Sequence, residues 1–389
     1  MRTGHALARL VESPALVQTV RSLPGPAFAA LVRRIGVEDA GELVALATTE
    51  QLVAAFDEDL FGNPRPGEQE TFDPARFVIW LEVLLEAGDA IAAQRTSELD
   101  LDFVVHALGS LIVVLEHEAI DTRMAEGDRD ARLADKAIDN ALSESIDGYL
   151  LISRRHDGWD AVLSLVLALD RDHRTFLERV LDRCAAINSD YLDDLAALVG
   201  VLSERESNAE DALGAREDRR TAQGYVEPRA AKAFLAAARA PIVAPARDPL
   251  TRAYLRELDH TPHVAETELP DELRALLDDA PERALPAAPS PILAALRELP
   301  AEAYAARMRE LAYLANVLVA GATYDGRRFA PYEATQAVLA TIALAAALRG
   351  ASEPDALRAL LASTEADHLF REAASHLAKI DPRSPGFVV

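Results

Sequence analysis

Eleven residues near the middle of the chain, Trp159 to Leu169, leave the least freedom to the fold. Apart from Asp160 and Ser164 they are all apolar: Trp159, Ala161, Val162, Leu163, Leu165, Val166, Leu167, Ala168 and Leu169. A helix without a continuous polar face has to lie among other elements, because a surface helix would leave half of that apolar area in water. The run is far short of the ~20 residues that cross a bilayer. Charged groups stand at both ends, Arg154, Arg155, His156 and Asp157 before it and Asp170, Arg171, Asp172 and His173 after it. The spacing predicts a buried central helix with polar ends, and hence a bundle or stack of helices around it.

Composition points the same way. Half of the 389 residues are hydrophobic but only 5% are aromatic, and Ala and Leu, which favour helices over sheets, carry most of the apolar content. Val/Ile/Thr runs with period-two alternation are hard to find. The expected fold class is all-α: short helices stacked as a superhelix or solenoid-like array, with a mostly helical C-terminal part. Three consecutive units of twelve residues begin at Gly25, GPAFAALVRRIG, VEDAGELVALAT and TEQLVAAFDEDL. Their fourth positions are Phe28, Ala40 and Leu52, their seventh Leu31, Leu43 and Ala55, and their eighth Val32, Val44 and Phe56. Pro26, Glu38 and Glu50 stand near each start, where a helix N-terminus favours proline or negative charge. Helices this short cannot bury their apolar stripes alone and must stack on neighbours.

Three regions follow from the punctuation. Residues 1–239 read as an N-terminal helical array. Prolines recur through residues 240–291, which reads as an extended Pro/Ala-rich linker with one short helix from Leu269. Residues 292–389 read as a C-terminal helical region. Within the array, Ser13-Pro14 looks like a helix start, and Asp73 caps a helix whose first residue is Pro74 and whose stripe is Phe77, Trp80, Leu81, Leu84 and Leu85. Gly88 is its stop. A further helix is expected around Val104 to Leu115, a solvated charged stretch from Glu126 to Asp135, and a lead-in to the central helix from Ala137 to Leu151.

The net charge of −24 repels phosphate backbones and anionic lipid, so neither nucleic acid nor a membrane surface is an expected partner. Cys184 is alone, which excludes an internal disulfide and a cysteine metal cluster; beside Leu181 and Ile187 it reads as a core thiol. The first residues lack the long apolar segment of a secretory signal. A cytoplasmic protein is expected.

Three stretches could carry chemistry. In the first, His156, Asp157 and Asp160, joined by His106 or His117 upstream and Asp170 or His173 downstream, have the residue types of a metal-dependent phosphohydrolase. The plainer alternative is a polar helix entry, with Asp157 or Asp160 as cap and Arg154 and Arg155 pairing locally. The second is locally basic: Arg216, Arg219, Arg220, Arg229, Lys232 and Arg239 against Glu217, Asp218 and Glu227, with Tyr225 in its turn. It suits an anionic partner or a solvated helix laced with ion pairs. The third is a turn-rich loop holding Gly321, Tyr324, Gly326, Arg327 and Arg328, a binding loop or an ordinary connection. Phosphate-loop, dinucleotide, nucleophile-elbow and zinc-protease motifs are absent from the sequence, and no residue is assigned as catalytic, metal-ligating or cofactor-binding; no cofactor is expected.

Two resemblances add to this. LPGPAFAALVRRIG (Leu23 to Gly36), LPAEAYAARMRELA (Leu299 to Ala312) and LPDELRALLDDAP (Leu269 to Pro281) resemble the helical repeats of the magnesium-transporter N-terminal domain and the flagellar motor switch middle domain. LVRRIGVEDAGELVALATTEQLVAAFDEDLF, FDPARFVIWLEVLLEAGDA, RRHDGWDAVLSLVLALDRDH, GAREDRRTAQGYVEPRAAKAFLAAAR and LAYLANVLVAG together resemble an uncharacterised bacterial all-helical family known only as a domain of unknown function. That resemblance implies a bacterial helical protein and carries no activity. The function expected is a non-enzymatic interaction or scaffold protein with a protein partner, and the alternative is a metal-dependent phosphohydrolase centred on His156 and Asp157.

Overall fold

The computed structural model describes residues 16–62, 67–117, 142–189, 212–241, 251–252, 254–256, 290–324, 326–381 and 384–388. The expected helix start at Ser13-Pro14, the charged stretch Glu126–Asp135 and the short helix from Leu269 lie outside the described residues. The chain is predominantly α-helical and forms two compact units. The first takes its described residues from Met1–Gly62 and Thr71–Arg216, the second from Asn63–Glu70, Glu217–Glu266 and Ala280–Val389.

The first unit opens with α1 (Leu16–Ser22), α2 (Gly25–Ile35), a 3-10 turn (Glu38–Ala40) running into α3 (Gly41–Leu46), and α4 (Thr49–Asp59). Each twelve-residue unit is thus one helical segment. All nine aligned apolar positions, Phe28, Leu31, Val32, Ala40, Leu43, Val44, Leu52, Ala55 and Phe56, are no more than 2% exposed. Period and burial agree because one face of each short helix meets its neighbours; α2 packs along α4 and α1 against α3. Thr48 caps α4 in a reciprocal pair with Gln51. The same Gln51 amide donates to Val20 O at 2.7 Å and Leu23 O at 2.8 Å, closing off carbonyls at the end of α1.

A two-stranded pair, β1 (Phe61–Gly62) and β2 (Thr71–Phe72), leads to α5 (Pro74–Glu86), α6 (Asp89–Glu98) and α7 (Leu101–Leu111). Asp73 Oδ1 accepts from Ala75 N and Arg76 N, and Pro74 is the first helical residue, as the sequence predicts. The helix expected to reach Leu115 ends four residues earlier. Ile112–Glu116 is instead β3, paired antiparallel with β5 (Tyr149–Ser153), which also pairs with β4 (Ser143–Ile146) in the order β3-β5-β4. The β-branched run Ile112-Val113-Val114 suits a strand, and Val114 and Leu151 are buried opposite each other. From Leu142 on, where the described residues resume, the lead-in of the central helix is therefore a hairpin. Its turn is Asp147-Gly148, both at positive φ (47° and 87°) between the partners Ile146 and Tyr149, as a two-residue turn matched to strand twist requires.

The central helix is α8 (Trp159–Asp172), followed by α9 (Arg174–Ser189). α8 packs against α5, α6, α7 and α9, with Trp159, Ala161, Val162, Leu165, Val166, Ala168 and Leu169 buried and Leu167 left half exposed. The expected cap from Asp157 or Asp160 is not made. Gly158, in the left-handed region, stands at the N-cap with no side-chain cap bond. A Cβ at Gly158 would lie 2.4 Å from Val78 Cγ2, so the entry loop presses directly on α5.

The second unit contains α10 (Pro228–Ala238), α11 (Pro291–Arg297), α12 (Ala301–Gly321), a short hairpin of β6 (Thr323–Tyr324) and β7 (Arg327–Arg328), α13 (Pro331–Leu348), α14 (Pro354–Ser363) and α15 (Ala366–Ile380). α12 packs on α10 and α13, α13 on α15, and α11 on α14. Gly321 lets α12 come close to α10, since a Cβ there would sit 2.9 Å from Ala231 Cβ and 3.0 Å from its carbonyl carbon. Leu23-Pro24 and Leu299-Pro300 play the same part, a buried leucine and an N-cap proline, at the starts of α2 and α12. Most of residues 240–291 lies outside the described residues. Of its described part, Thr251 is fully buried with its hydroxyl 3.2 Å from Tyr313 Oη, and the Tyr254 ring lies 4.6 Å from that of Tyr313.

Candidate functional site

The first candidate stretch forms the turn between β5 and α8. Arg154 Nε donates to Ile112 O at 3.2 Å and so fastens the end of β5 to β3. His156, Asp157 and Asp160 are exposed. Arg155, Asp157 and Gly158 border a cleft of 330 Å³ whose other wall is α5, with Ala75, Val78, Ile79 and Glu82. The other histidines stand on different elements. His106, on α7, meets the Phe72 ring edge-on at 5.0 Å; His117 Nε2 is 3.1 Å from Ser145 Oγ; His173 closes the C-terminus of α8. Among the described residues, no three His, Cys, Asp or Glu side chains are grouped so that they could hold a metal ion.

The second and third stretches meet within the second unit, at a residue that sequence reasoning did not single out. Glu70 is 7% exposed, and its two carboxylate oxygens are divided between two arginines: Oε2 accepts from Arg220 Nη1 at 2.6 Å and Oε1 from Arg328 Nη1 at 2.8 Å. Arg220 comes from the basic stretch and Arg328 from β7. The Arg220 guanidinium lies 4.6 Å from the centre of the Tyr225 ring, a cation–π contact that covers its other face. Lys232 packs against Gly67, where a Cβ would meet its side chain at 2.7 Å, and Gly67 N donates to Ala320 O at 3.1 Å. Arg229 Nη2 reaches Gln69 Oε1 at 3.5 Å. Residues 67–70 are thus held from several sides by basic residues that sequence alone could assign only to an anionic partner, to ion pairs along their own helix, or to a binding loop or connection.

Other charges in these stretches are also engaged. Arg216, of the first unit, is almost fully buried; its Nε and Nη2 donate to Asp57 O at 2.8 and 2.6 Å, and its guanidinium stands 4.3 Å from the centre of the Phe61 ring. Arg327 pairs twice with Glu333, whose carboxylate also accepts from Ala330 N at 3.0 Å. The Arg327 guanidinium holds the Glu333 carboxyl below the usual carboxylate range. Two further carboxylates with no motif around them do similar work. Asp59 accepts from Trp80 Nε1 at 2.6 Å and Arg76 Nε at 2.7 Å. Glu310, nearly fully buried, accepts from Ala366 N at 2.8 Å at the start of α15. Neither carries a signal in the sequence: Asp59 is the last of three consecutive acids, and Glu310 directly follows Arg309 in an ordinary helical pattern.

Cys184 lies in the core with its Sγ 3.8 Å from Val105 O, and burial pushes its thiol up to about 12. At neutral pH that group is protonated and a poor nucleophile.

A family model described as "Family of unknown function (DUF6178)" matches residues 1–383. No curated protein and no solved structure matches the chain.

Proposed function

The chain belongs to the DUF6178 family, which carries no assigned activity, and we propose from its own side chains that it is a non-enzymatic interaction or scaffold protein of the bacterial cytoplasm. One observation carries this reading: the buried and half-buried charges of the basic stretch, of β7 and of α12 are engaged in holding the fold. Arg216 grips the carbonyl of Asp57, Arg220 and Arg328 divide the carboxylate of Glu70, and Glu310 caps α15 from α12. A buried charge bonded to backbone or to an opposite charge fixes geometry; it is not poised to exchange protons with a substrate. The net charge of −24 supports a basic protein partner and fast, salt-sensitive association with it.

The test is affinity capture of the tagged full-length chain from its native host at low and high salt, beside an assay of phosphoester hydrolysis with added divalent metals. The expected result is a partner that is retained at low salt and released at high salt, with no metal-dependent turnover. Hydrolysis that requires a divalent ion and disappears in His156→Ala would replace this reading with the hydrolase.

A further inference from the structure

Residues 384–388 have no regular secondary structure, yet they occupy two places in the core of the second unit. Phe387 is 5% exposed, and its ring meets that of Phe329 edge-on at 5.5 Å. Val388 N donates to Thr341 Oγ1 at 2.9 Å, and the same hydroxyl donates to Ala337 O at 2.7 Å. Thr341 is fully buried, so this neighbour answers an acceptor that would otherwise be stranded in the middle of α13. Gly386, at φ +89°, brings the backbone where a Cβ would be 3.0 Å from Arg239 Cγ and 3.6 Å from Ala374 Cβ. These residues lie just past the last one matched by the family model, residue 383. Phe329 in turn directly follows Arg328, the β7 arginine that pairs with Glu70.

We propose that residues 384–388 are a detachable strap: Phe387 seats in an apolar groove of the second unit, and while seated it holds the Arg328–Phe329 end of the hairpin in place against Glu70. The strap detaches before the helices beneath it because of how it is fastened. Among the described residues, it is fastened by the Phe387 ring, by the close approach of Gly386 to Arg239 and Ala374, and by two hydrogen bonds to the rest of the chain, Val388 N to Thr341 Oγ1 and Ser384 N to Asp381 O, with no helix or strand ladder. Segments held in that way open locally at a lower free energy than helices packed along their length. Once open, the groove presents the face of Phe329, the methyl of Ala374 and the acceptor of Thr341. Together these match an extended peptide with an aromatic side chain followed by a free backbone N–H, and the chain's own 384–388 segment is its occupant. The second unit therefore contains a peptide-binding groove closed in cis.

Hydrogen exchange on the full-length chain tests this. In the unaltered protein, the amides of 386–388 should exchange faster than those in the middle of α13. Thr341→Val should speed exchange at Val388 about fivefold, the loss expected for one hydrogen bond, and Thr341→Ser should restore the original rate. Phe387→Ala should speed exchange at 386–388 and also at 327–330, leaving α8 of the first unit unchanged. A labelled peptide of residues 384–389 should then bind the chain truncated before Ser384, and the same peptide with Phe387→Ala should not. The proposal is overturned if the strap exchanges as slowly as α13, or if the effect of Phe387→Ala stops at residue 388. A truncated chain that keeps its helical circular dichroism but does not take up the peptide would also overturn it. Should truncation prevent folding, the exchange measurements on the unaltered chain and its three untruncated variants decide alone.

Discussion

Glu70 and Arg220 stand 150 residues apart in the chain and 2.6 Å apart across an ion pair. Arg328, 258 residues from Glu70, takes the other carboxylate oxygen at 2.8 Å. Three distant segments of the second unit are thereby tied at one acid. Removing the acid takes a partner from both arginines, whereas removing one arginine leaves a paired acid.

The first prediction follows from that asymmetry. Glu70→Gln should destabilise the second unit by about 2 kcal/mol, less than the ~3–5 kcal/mol of a fully buried pair because Arg328 is partly solvated. Arg328→Gln should cost less than half as much, since Arg220 still answers the carboxylate. Urea unfolding followed by far-ultraviolet circular dichroism measures both; equal losses would show that the two arginines are not alternatives.

Gln51 supplies the second. Its side-chain amide joins two carbonyls at the end of α1, 31 and 28 residues away, and is itself buried. Gln51→Leu keeps the volume and strands both acceptors, for a loss of about 2–3 kcal/mol. Gln51→Glu, which can donate to neither carbonyl when ionised, should be worse at pH 7 and recover part of the loss near pH 4. A Leu variant as stable as the original protein would remove Gln51 from any account of how α1 is held.

Gly158 is the third. Its φ of +84° and the 2.4 Å approach of Val78 penalise any side chain there. Gly158→Ala should cost roughly 1–2 kcal/mol for the backbone conformation and more for the overlap. Val78→Ala removes the overlapping methyls, so the double variant should lose less than the sum of the two single losses. Strict additivity would mean that the loop moves away from α5 without cost.

The fourth concerns alkaline pH. Burial raises the Cys184 thiol to about 12 in the folded chain, against ~8.5 unfolded. A folded-state value above the unfolded one gives stability that is present below about pH 8.5 and lost as pH rises toward 12, because the unfolded thiol releases its proton first. Cys184→Ala should flatten that part of the stability–pH profile, while its cavity cost appears equally at every pH. Titration with a thiol reagent should show no reaction in native buffer and full reaction after denaturation; labelling of the folded chain at neutral pH would contradict the buried position.

Much of the first unit's local structure was legible in the sequence. The Asp73-Pro74 start needs only a short acceptor side chain and a ring with no N–H to lose, and both act within three residues. The twelve-residue period placed nine side chains in the core because burial within a short helix follows from spacing alone. The β3-β5-β4 sheet shows a different kind of miss. Asp147-Gly148, between Ile146 and Tyr149, is a strong two-residue hairpin signal, and the strand run Ile112-Val113-Val114 was there to be read. An Ala/Leu-rich background outweighed both, and a helix ending at Leu111 looks continuous with apolar residues that follow it.

What the sequence determined by itself is therefore whatever is decided over a few residues: helical class, helix starts, the buried character of most apolar residues between Trp159 and Leu169, and the absence of recognised catalytic motifs. What tertiary structure decided is which partner each charge found. In the sequence Arg220 reads as part of a basic stretch for an anionic partner or for ion pairs along its own helix, and Arg328 as part of a binding loop or connection, since nothing within a helical turn of either names Glu70. A carboxylate buried between two guanidiniums owes its stability to exclusion from water and to close approach, and both are properties of the packed chain that arise only when distant segments meet.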